Sequence, residues 1–306
     1  MVEVNNKEIK YTFLLPAFKA SFLEEALLSI KNQTFKDFMV LVSDDCSPEP
    51  IKQIFDKVVG DDSRFSYRRN EENMGAKSLV SHWNLLVDMC DTEYLIMASD
   101  DDVYEPMFLE EIDCLMNKYP NVDLLRAKAR RIDNGKVSYE DGDIPEYLAQ
   151  EEFVKYFGLK TMVHCLANYV FKKSTLKAMG GFPDFPTAAK SDTAAAIYLS
   201  KNGIVTTHDV LFTFRISNEN LSSRKGYDKN IREIADASLM FADWYENNFG
   251  CIYPYKPAVE GIGYFSMARM SLMESMSYAM QFKKRGYYCG IKPLLTMCKN
   301  WIKLHL

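Results

Sequence analysis

The first 125 residues alternate short apolar runs with amphipathic stretches of helical length. That rhythm restricts the chain to repeated strand-helix-strand units around a mostly parallel sheet. Strands are predicted over 11–15, 38–43, 65–68, 94–98 and 122–125. Between them, 21–32, 50–59 and 76–90 carry apolar residues at helical spacing. Pro106 opens a further helix to about Lys118, proline being favoured at a first helical position. Beyond 126 the pattern loosens. Asn134-Gly135 predicts a hairpin turn between two short strands. A helix over 174–179 stops at Gly180-Gly181, and another from about 193 to 202 stops at Gly203. From 227 onward the chain reads as helical, in three segments broken near 250–257 and 286–293. With 306 residues it can bury a sizeable core. The expected division is a doubly wound α/β domain over 1–220, with a mostly parallel mixed central sheet, and a helical C-terminal extension over 221–306.

Charge and cysteine usage narrow the function classes. A hydrophobic fraction of 47% excludes a disordered chain, and a net charge of -5 argues against a partner held through nucleic-acid phosphates. The C-terminal stretch 251–306 runs the other way. There Lys256, Arg269, Lys283, Lys284, Arg285, Lys292, Lys299 and Lys303 face only Glu260 and Glu274. The seven cysteines (46, 90, 114, 165, 251, 289 and 298) are scattered, with no Cys-x-x-Cys pair, which suits reduced thiols better than a disulfide framework or a zinc site. The N-terminus is polar and no apolar run approaches the length of a membrane span. The expected place is the cytosol, or the cytoplasmic face of a membrane.

Four stretches can carry chemistry. Leu41-Val42-Ser43-Asp44-Asp45 is an apolar strand ending in two carboxylates, which puts them at the carboxyl edge of a parallel sheet, where open α/β folds bind ligands. Carboxylates there can accept hydrogen bonds from a base or a ribose; they can equally cap the following helix. After the next buried strand come Asp100, Asp101 and Asp102. Adjacent like charges at about 4 Å cost on the order of 4 kcal/mol at an effective dielectric near 20, and a bound cation reverses that sign. Hard oxygen ligands suit magnesium or manganese, which usually bridge to substrate phosphates. A solvated acidic turn is the alternative. Third, Asn73-Met74-Gly75 leads into the helix that carries Asn84, and Gly75 allows close backbone approach to a ligand or a simple helix entry. Fourth, Lys190-Ser191-Asp192 places a carboxylate at a helix N-terminus, as a catalytic group or a cap. His82, His164, His208 and His305 do not fall at metal-ligand spacing. No Gly-x-Ser-x-Gly, Walker-type or dinucleotide glycine loop is present.

Taken in order, these pieces resemble glycosyltransferase family 2, the inverting enzymes with the GT-A fold. The ordered series is Phe13-Leu14-Leu15-Pro16-Ala17-Phe18, Gln33-Thr34-Phe35, Asp44-Asp45, Asn73-x-Gly75, Asn84, Asp100-Asp101-Asp102 with Pro106, Gly180-Gly181-Phe182, and Asp192 before a helix ending in Gly203. It covers residues 11 to 220. The resemblance implies that Pro16 and Ala17 line a nucleotide pocket with Asn73 and Gly75, and that Asp44 or Asp45 contacts the base or its ribose. It implies that Asp100 approaches the ribose, that Asp101 with Asp102 holds Mn2+ or Mg2+ on the diphosphate, and that Asp192 is the catalytic base. Three positions depart from the family pattern: Phe18-Lys19 stands where Tyr-Asn is common, Cys46-Ser47 where Gly-Ser is usual, and Ser217 where a His is often found.

The implied reaction is transfer of a sugar from a nucleotide-diphosphate sugar, UDP by default, to a hydroxyl acceptor on a glycan, a lipid-linked glycan or another molecule, as in polysaccharide biosynthesis. Two alternatives compete. One is a non-catalytic sugar-nucleotide or glycan binding module on the same fold. The other is a sugar nucleotidyltransferase, whose Gly-rich loop after the first strand is absent from Pro16-Ala17-Phe18-Lys19-Ala20-Ser21. Acceptor-side residues are expected between 140 and 190, with His164, Asn168 and Tyr169 among them. The basic tail, with Tyr287, Tyr288 and Trp301, is expected to rest on an anionic membrane, to cap the catalytic domain or to form a homodimer contact.

Overall fold

The computed structural model describes residues 9–159, 161–217, 220, 230–250 and 270–285. Its first half builds β1 (Tyr11–Ala17), α1 (Leu23–Lys31), β2 (Phe38–Asp44), α2 (Ile51–Val59), β3 (Phe65–Arg69), α3 (Gly75–Met89) and β4 (Tyr94–Met97). The four strands are parallel, in the order β3-β2-β1-β4. Each of the first four predicted strands is present within a residue or two of its expected ends. In β1, Phe13 and Leu15 face one core cluster with α1, α2 and α4 (Phe108–Lys118), while Leu14 faces the other with α3. Both sheet faces are covered, so the strand reads as an unbroken apolar run. Each such side chain contributes roughly 1.5–3 kcal/mol by leaving water.

The second half adds β5 (Val103–Tyr104), β6 (Leu124–Asp133), β7 (Lys136–Glu140), β8 (Tyr147–Leu148), α5 (Gln150–Leu159), β9 (Tyr169–Lys172), α6 (Lys173–Ala178), α7 (Ser191–Leu199) and β10 (Ile204–Ile216). Among the described residues the sheet has ten strands, ordered β3-β2-β1-β4-β9-β6-β10-β5, with β7 beside β6 and β8 beside β10. It is mixed. β9 runs antiparallel to β4 and β6, and β10 parallel to β6. The hairpin at Asn134-Gly135 joins β6 to β7, with φ of 49° and 74° at the two turn residues, the left-handed pair that a type I′ turn requires.

The strand expected over 122–125 instead begins at Leu124 and continues to Asp133. Its middle, Arg126-Ala127-Lys128-Ala129-Arg130, looks too polar for a central strand. Arg126 is nonetheless fully buried, its guanidinium 2.5 Å from Asp141 Oδ2. That partner lies 15 residues away, out of reach of any local pattern.

α8 (Ile231–Phe249) lays Ala237, Phe241, Ala242 and Tyr245 into the core cluster that contains α7. α9 (Leu272–Lys284) starts in a Ser271/Glu274 capping box, and beyond its end Arg285 grips Asp243 of α8 at 2.6 and 2.8 Å. Among the described residues no helix is long and apolar enough to cross a membrane. Cys46, Cys90, Cys114 and Cys165 are free thiols. Lys256, Arg269, Tyr287, Tyr288, Lys292, Lys299, Trp301 and Lys303, together with Cys251, Cys289 and Cys298, lie outside the described residues.

Candidate active site

The register of β1 on β2 sets Pro16 opposite Ser43 and Ala17 opposite Asp44, so both strands deliver their last residues to one edge. There the two aspartates divide their partners. Asp44 Oδ1 accepts the Ser47 N–H at 2.8 Å, and its Oδ2 accepts the Tyr67 hydroxyl at 2.6 Å and meets the Arg69 guanidinium. Burial and the neighbouring carboxylate push the Tyr67 hydroxyl up to about 12. Asp45 turns towards the next loop: Oδ1 accepts from Asn70 Nδ2 at 2.7 Å and the Met74 N–H at 2.9 Å, and Oδ2 accepts the Gly75 N–H at 2.7 Å. Asn73 Oδ1 accepts the Ala76 N–H at 2.8 Å and so caps the start of α3. A Cβ on Gly75 would stand 2.9 Å from Asp45 Oδ2. The close approach expected of Gly75 is therefore made to a carboxylate of the chain itself.

The acidic run after β4 is buried, with Asp100, Asp101 and Asp102 only 6, 4 and 1% exposed, so it is no solvated turn. Asp100 Oδ2 accepts two successive backbone N–H groups, from Phe18 at 2.9 Å and Lys19 at 2.8 Å. The Lys19 ammonium closes the arrangement, 3.2 Å from Asp100 Oδ1 and 2.7 Å from Asp101 Oδ2. Ser99 donates to the other oxygen of Asp101. Asp102 points deeper. Its Oδ1 accepts the Arg215 N–H at 2.9 Å, and its Oδ2 lies 3.7 Å from Cys165 Sγ. Burial holds the Asp100 carboxyl above the usual carboxylate range and Asp102 well above it, with the charge of Asp101 adding to both. Arg215 also donates to the Asp101 carbonyl at 3.0 Å and reaches Glu25 at 2.5 Å, which docks the end of β10 on the acidic run. Two residues on, Ser217 donates its N–H to Asn220 Oδ1 at 3.0 Å.

The donor set is the hard-oxygen kind that magnesium and manganese prefer. Among the described residues, however, no group of three His, Cys, Asp or Glu side chains is arranged around one point to hold an ion. Two of the carboxylates converge on one positive charge, that of Lys19. Those two are Asp100 and Asp101, whereas both oxygens of Asp102 face Arg215 and Cys165, so the expected Asp101–Asp102 pair does not converge on one point.

Asp192 arrives by a different route. Before α7 the chain passes through left-handed Thr187, Ala188 and Lys190, at φ of 54°, 57° and 75°, conformations that non-glycine residues adopt at a cost. Asp192 sits in the first turn of α7, where its Oδ1 accepts the Thr193 N–H at 2.6 Å. Its Oδ2 lies 3.1 Å from His164 Nε2, and His164 Nδ1 lies 2.8 Å from the Tyr169 hydroxyl. Burial raises the Asp192 carboxyl, but His164, Lys190 and the Thr193 N–H together outweigh it and hold the group below its usual range.

The consecutive residues His164 and Cys165 thus touch Asp192 and Asp102 respectively, bringing the acidic run and Asp192 to the two sides of one short segment. Of the other acceptor-side candidates, Asn168 is fully buried and donates to the Ala127 carbonyl at 3.0 Å, and Tyr169 is fully buried. The Asn84 and Gly180-Gly181-Phe182 motifs prove to be one device: Asn84 accepts the Phe182 N–H at 2.8 Å and donates to the Phe182 carbonyl at 2.9 Å. Sequence reasoning missed the ammonium of Lys19 and the backbone of Arg215. The departure at Phe18-Lys19 was the available signal for the first; the second had none.

The family model described as glycosyl transferase family 2 matches residues 12–178, more than half of the chain. The chain belongs to glycosyl transferase family 2. This family 2 member is 30% identical over 138 residues to an uncharacterised glycosyltransferase of Methanocaldococcus jannaschii, covering 44% of the chain and 46% of the relative. It is 32% identical over 94 residues to a GalNAc(5)-diNAcBac-PP-undecaprenol beta-1,3-glucosyltransferase of Campylobacter jejuni, covering 30% of each. The chain thus spans less than half the length of either curated relative. Among solved structures it is similar to S. aureus TarS 1-349 in complex with UDP-GlcNAc, at a TM-score of 0.60 and 15% identity over 91% of this chain and 93% of that one. It is likewise similar to the mannosyltransferase PcManGT from Pyrobaculum calidifontis in complex with GDP-Man and Mn2+, at 0.61 and 14% over 96% and 79%. At these identities the likeness establishes the fold, which is GT-A.

Proposed function

We propose that this family 2 chain is an inverting glycosyltransferase that moves a sugar from a nucleotide-diphosphate sugar, UDP being the expected nucleotide, to a hydroxyl acceptor in glycan or polysaccharide biosynthesis. The observation that carries the reading is the joining of Asp192 and the Asp100–Asp102 run through His164 and Cys165. Inversion needs a base on one side of the anomeric carbon and charge neutralisation on the other, and this arrangement supports a reading in which Asp192 takes the first role and the acidic run the second.

In the proposed step, Asp192, kept ionised by His164, takes the proton of the acceptor hydroxyl. The acceptor oxygen forms the new bond to the anomeric carbon as the bond to the diphosphate oxygen breaks, and that oxygen keeps the electron pair. A positioned base typically contributes about 10² to 10⁴ in rate. Asp101, and Asp102 once its carboxylate leaves the Arg215 N–H and Cys165, would hold Mn2+ or Mg2+, which when bound neutralises charge on the diphosphate. Pro16, Ala17, Asp44, Asp45, Asn73, Gly75 and Asp100 are the proposed nucleotide side, some by contact and Asp45 by holding the 70–75 loop.

Asp192→Asn should abolish transfer while leaving donor binding intact, and Asp101→Ala should weaken metal-dependent donor binding. A thermal-shift series with UDP, GDP, dTDP and CDP, with and without manganese, identifies the donor. A ligand at about 100 times its Kd stabilises by about 2.7 kcal/mol. Near-normal turnover by Asp192→Asn removes the base assignment. Donor binding without any product release would favour the binding-module reading. The basic balance of 251–306 supports a site of action at the cytoplasmic membrane face, near a lipid-linked acceptor. Flotation with anionic liposomes at moderate salt tests it, and no binding removes it.

A further inference from the structure

We infer that His164 is a positioning residue for the reaction: a hydrogen-bond chain running from the Tyr169 hydroxyl through the His164 ring to Asp192 fixes the imidazole tautomer and aims the carboxylate. The inference rests on the reading of Asp192 as the base. Its geometry is specific. Tyr169 lies on β9 and is fully buried, and its hydroxyl can donate as well as accept, whereas the ionised Asp192 carboxylate can only accept, so the Nε2 that faces it must carry a proton and a neutral ring then accepts from Tyr169 at Nδ1. Its oxygen lies 2.8 Å from His164 Nδ1. A ring that accepts at Nδ1 carries its proton on Nε2, and Nε2 lies 3.1 Å from Asp192 Oδ2. The ring therefore presents a donor to that oxygen, and Oδ1 takes the Thr193 N–H at 2.6 Å. Both bonds favour the ionised carboxylate.

The approach to Asp192 is costly on the other side, through the left-handed Thr187, Ala188 and Lys190. A carboxylate delivered by such a loop needs a second anchor to stay within catalytic tolerance, and His164 supplies it from across the fold. Thr193 Oγ1, 3.3 Å from both His164 Nε2 and Asp192 Oδ1, closes the triangle. The charged and titratable groups around Asp192 are His164 and Cys165 on the segment before β9, Tyr169 on β9 and Lys190 on the incoming loop. Behind Tyr169 lie Arg126 of β6 and Asp141. Of these, His164 is hydrogen-bonded directly to the carboxylate.

The experiment compares pH profiles of kcat/KM for the full chain and for His164→Ala, His164→Gln, Tyr169→Phe and Asp192→Asn, with 15N spectra of the histidine rings as a readout independent of turnover. His164→Ala should move the acid limb upward by about one pH unit and lower the plateau about 10- to 100-fold. His164→Gln, whose amide can still donate, should recover most of the plateau. Tyr169→Phe, which keeps the packing, should shift the limb in the same direction by less. In the unmodified chain the His164 signal, assigned by its loss in His164→Gln, should be that of the Nε2–H tautomer. A proton on Nδ1, or an acid limb that stays in place in Tyr169→Phe and His164→Ala, overturns the inference. If His164→Ala does not fold, Tyr169→Phe and the ring spectra decide. Failure of the base reading looks different: Asp192→Asn would then turn over normally whatever the His164 tautomer.

Discussion

Lys19 Nζ lies 2.7 Å from Asp101 Oδ2 and 3.2 Å from Asp100 Oδ1. The ammonium balances two buried carboxylates that would otherwise repel each other, and both raise its pKa against the effect of burial. A divalent cation on Asp101 must displace it or share the carboxylate with it. Lys19→Met should therefore tighten Mn2+ binding about tenfold, the equivalent of about 1.4 kcal/mol, in a direct titration followed by electron paramagnetic resonance. Without metal the same variant should lose about 1–3 kcal/mol of stability, because the carboxylates lose a hydrogen-bonded partner, and added Mn2+ should restore it. Unchanged or weaker Mn2+ affinity would show that Lys19 does not compete for the site.

Gly75→Ala tests the loop that precedes α3. A Cβ there would stand 2.9 Å from Asp45 Oδ2, on a buried carboxylate that also holds Asn70 Nδ2 and the Met74 N–H. Accommodating the methyl lengthens at least one of these bonds, at a cost of about 1–3 kcal/mol. Thermal unfolding should show the loss with and without nucleotide. An unchanged melting temperature would mean that the loop shifts freely, and Asp45 would then not be what fastens it.

What could be read from the sequence follows from where each residue's partners lie. β1, β2 and β4 were legible because both faces are covered and their apolar runs are continuous. β6 beyond Leu125 was hidden because Arg126 is neutralised by Asp141, and the register shifts of β10 on β6 between Thr206 and Phe212 break the alternation that would announce β10. At the site, Asp100, Asp101, Asp102 and Asp192 stood out as carboxylates at strand and helix ends. The contacts of His164 with Asp192 and of Arg215 with Asp102 span 28 and 113 residues, and no spacing announces them.

Gly181→Ala tests whether the motif at Asn84 is structural. Gly181 has a φ of 85°, and a Cβ would fall 2.5 Å from Asn84 Oδ1, the atom that accepts the Phe182 N–H. Backbone strain and the broken hydrogen bond together should cost on the order of 2–4 kcal/mol. Asn84→Ala removes that hydrogen bond together with the one to the Phe182 carbonyl, and it removes the atom the methyl would strike, so combining it with Gly181→Ala should cost clearly less than the sum of the two single changes. Full additivity in denaturant unfolding would show that the two residues act separately.

His82 makes the stability of the fold depend on pH in a direction opposite to that of the buried carboxylates. It is fully buried on α3, with Nε2 2.9 Å from Ser43 Oγ. Burial lowers its pKa, Asp45 opposes that shift and Arg68 reinforces it. The folded pKa therefore lies below the unfolded value of about 6.5, and between the two the unfolded chain binds more protons. The penalty is absent above about pH 6.5 and grows as pH falls below it, by up to about 1.4 kcal/mol per pH unit, until the folded pKa is reached. Asp100 and Asp102, raised by burial, contribute with the reverse sign: their stabilisation is full below the unfolded carboxylate pKa and is lost as pH rises through the folded values. The two effects separate in a difference experiment, because His82→Gln removes the first and keeps the second. Between pH 7 and 5.5 the unmodified chain should lose stability relative to His82→Gln in urea unfolding. A flat difference would mean that the folded protein protonates His82 as readily as the unfolded chain does, and the buried ring would have to be charged.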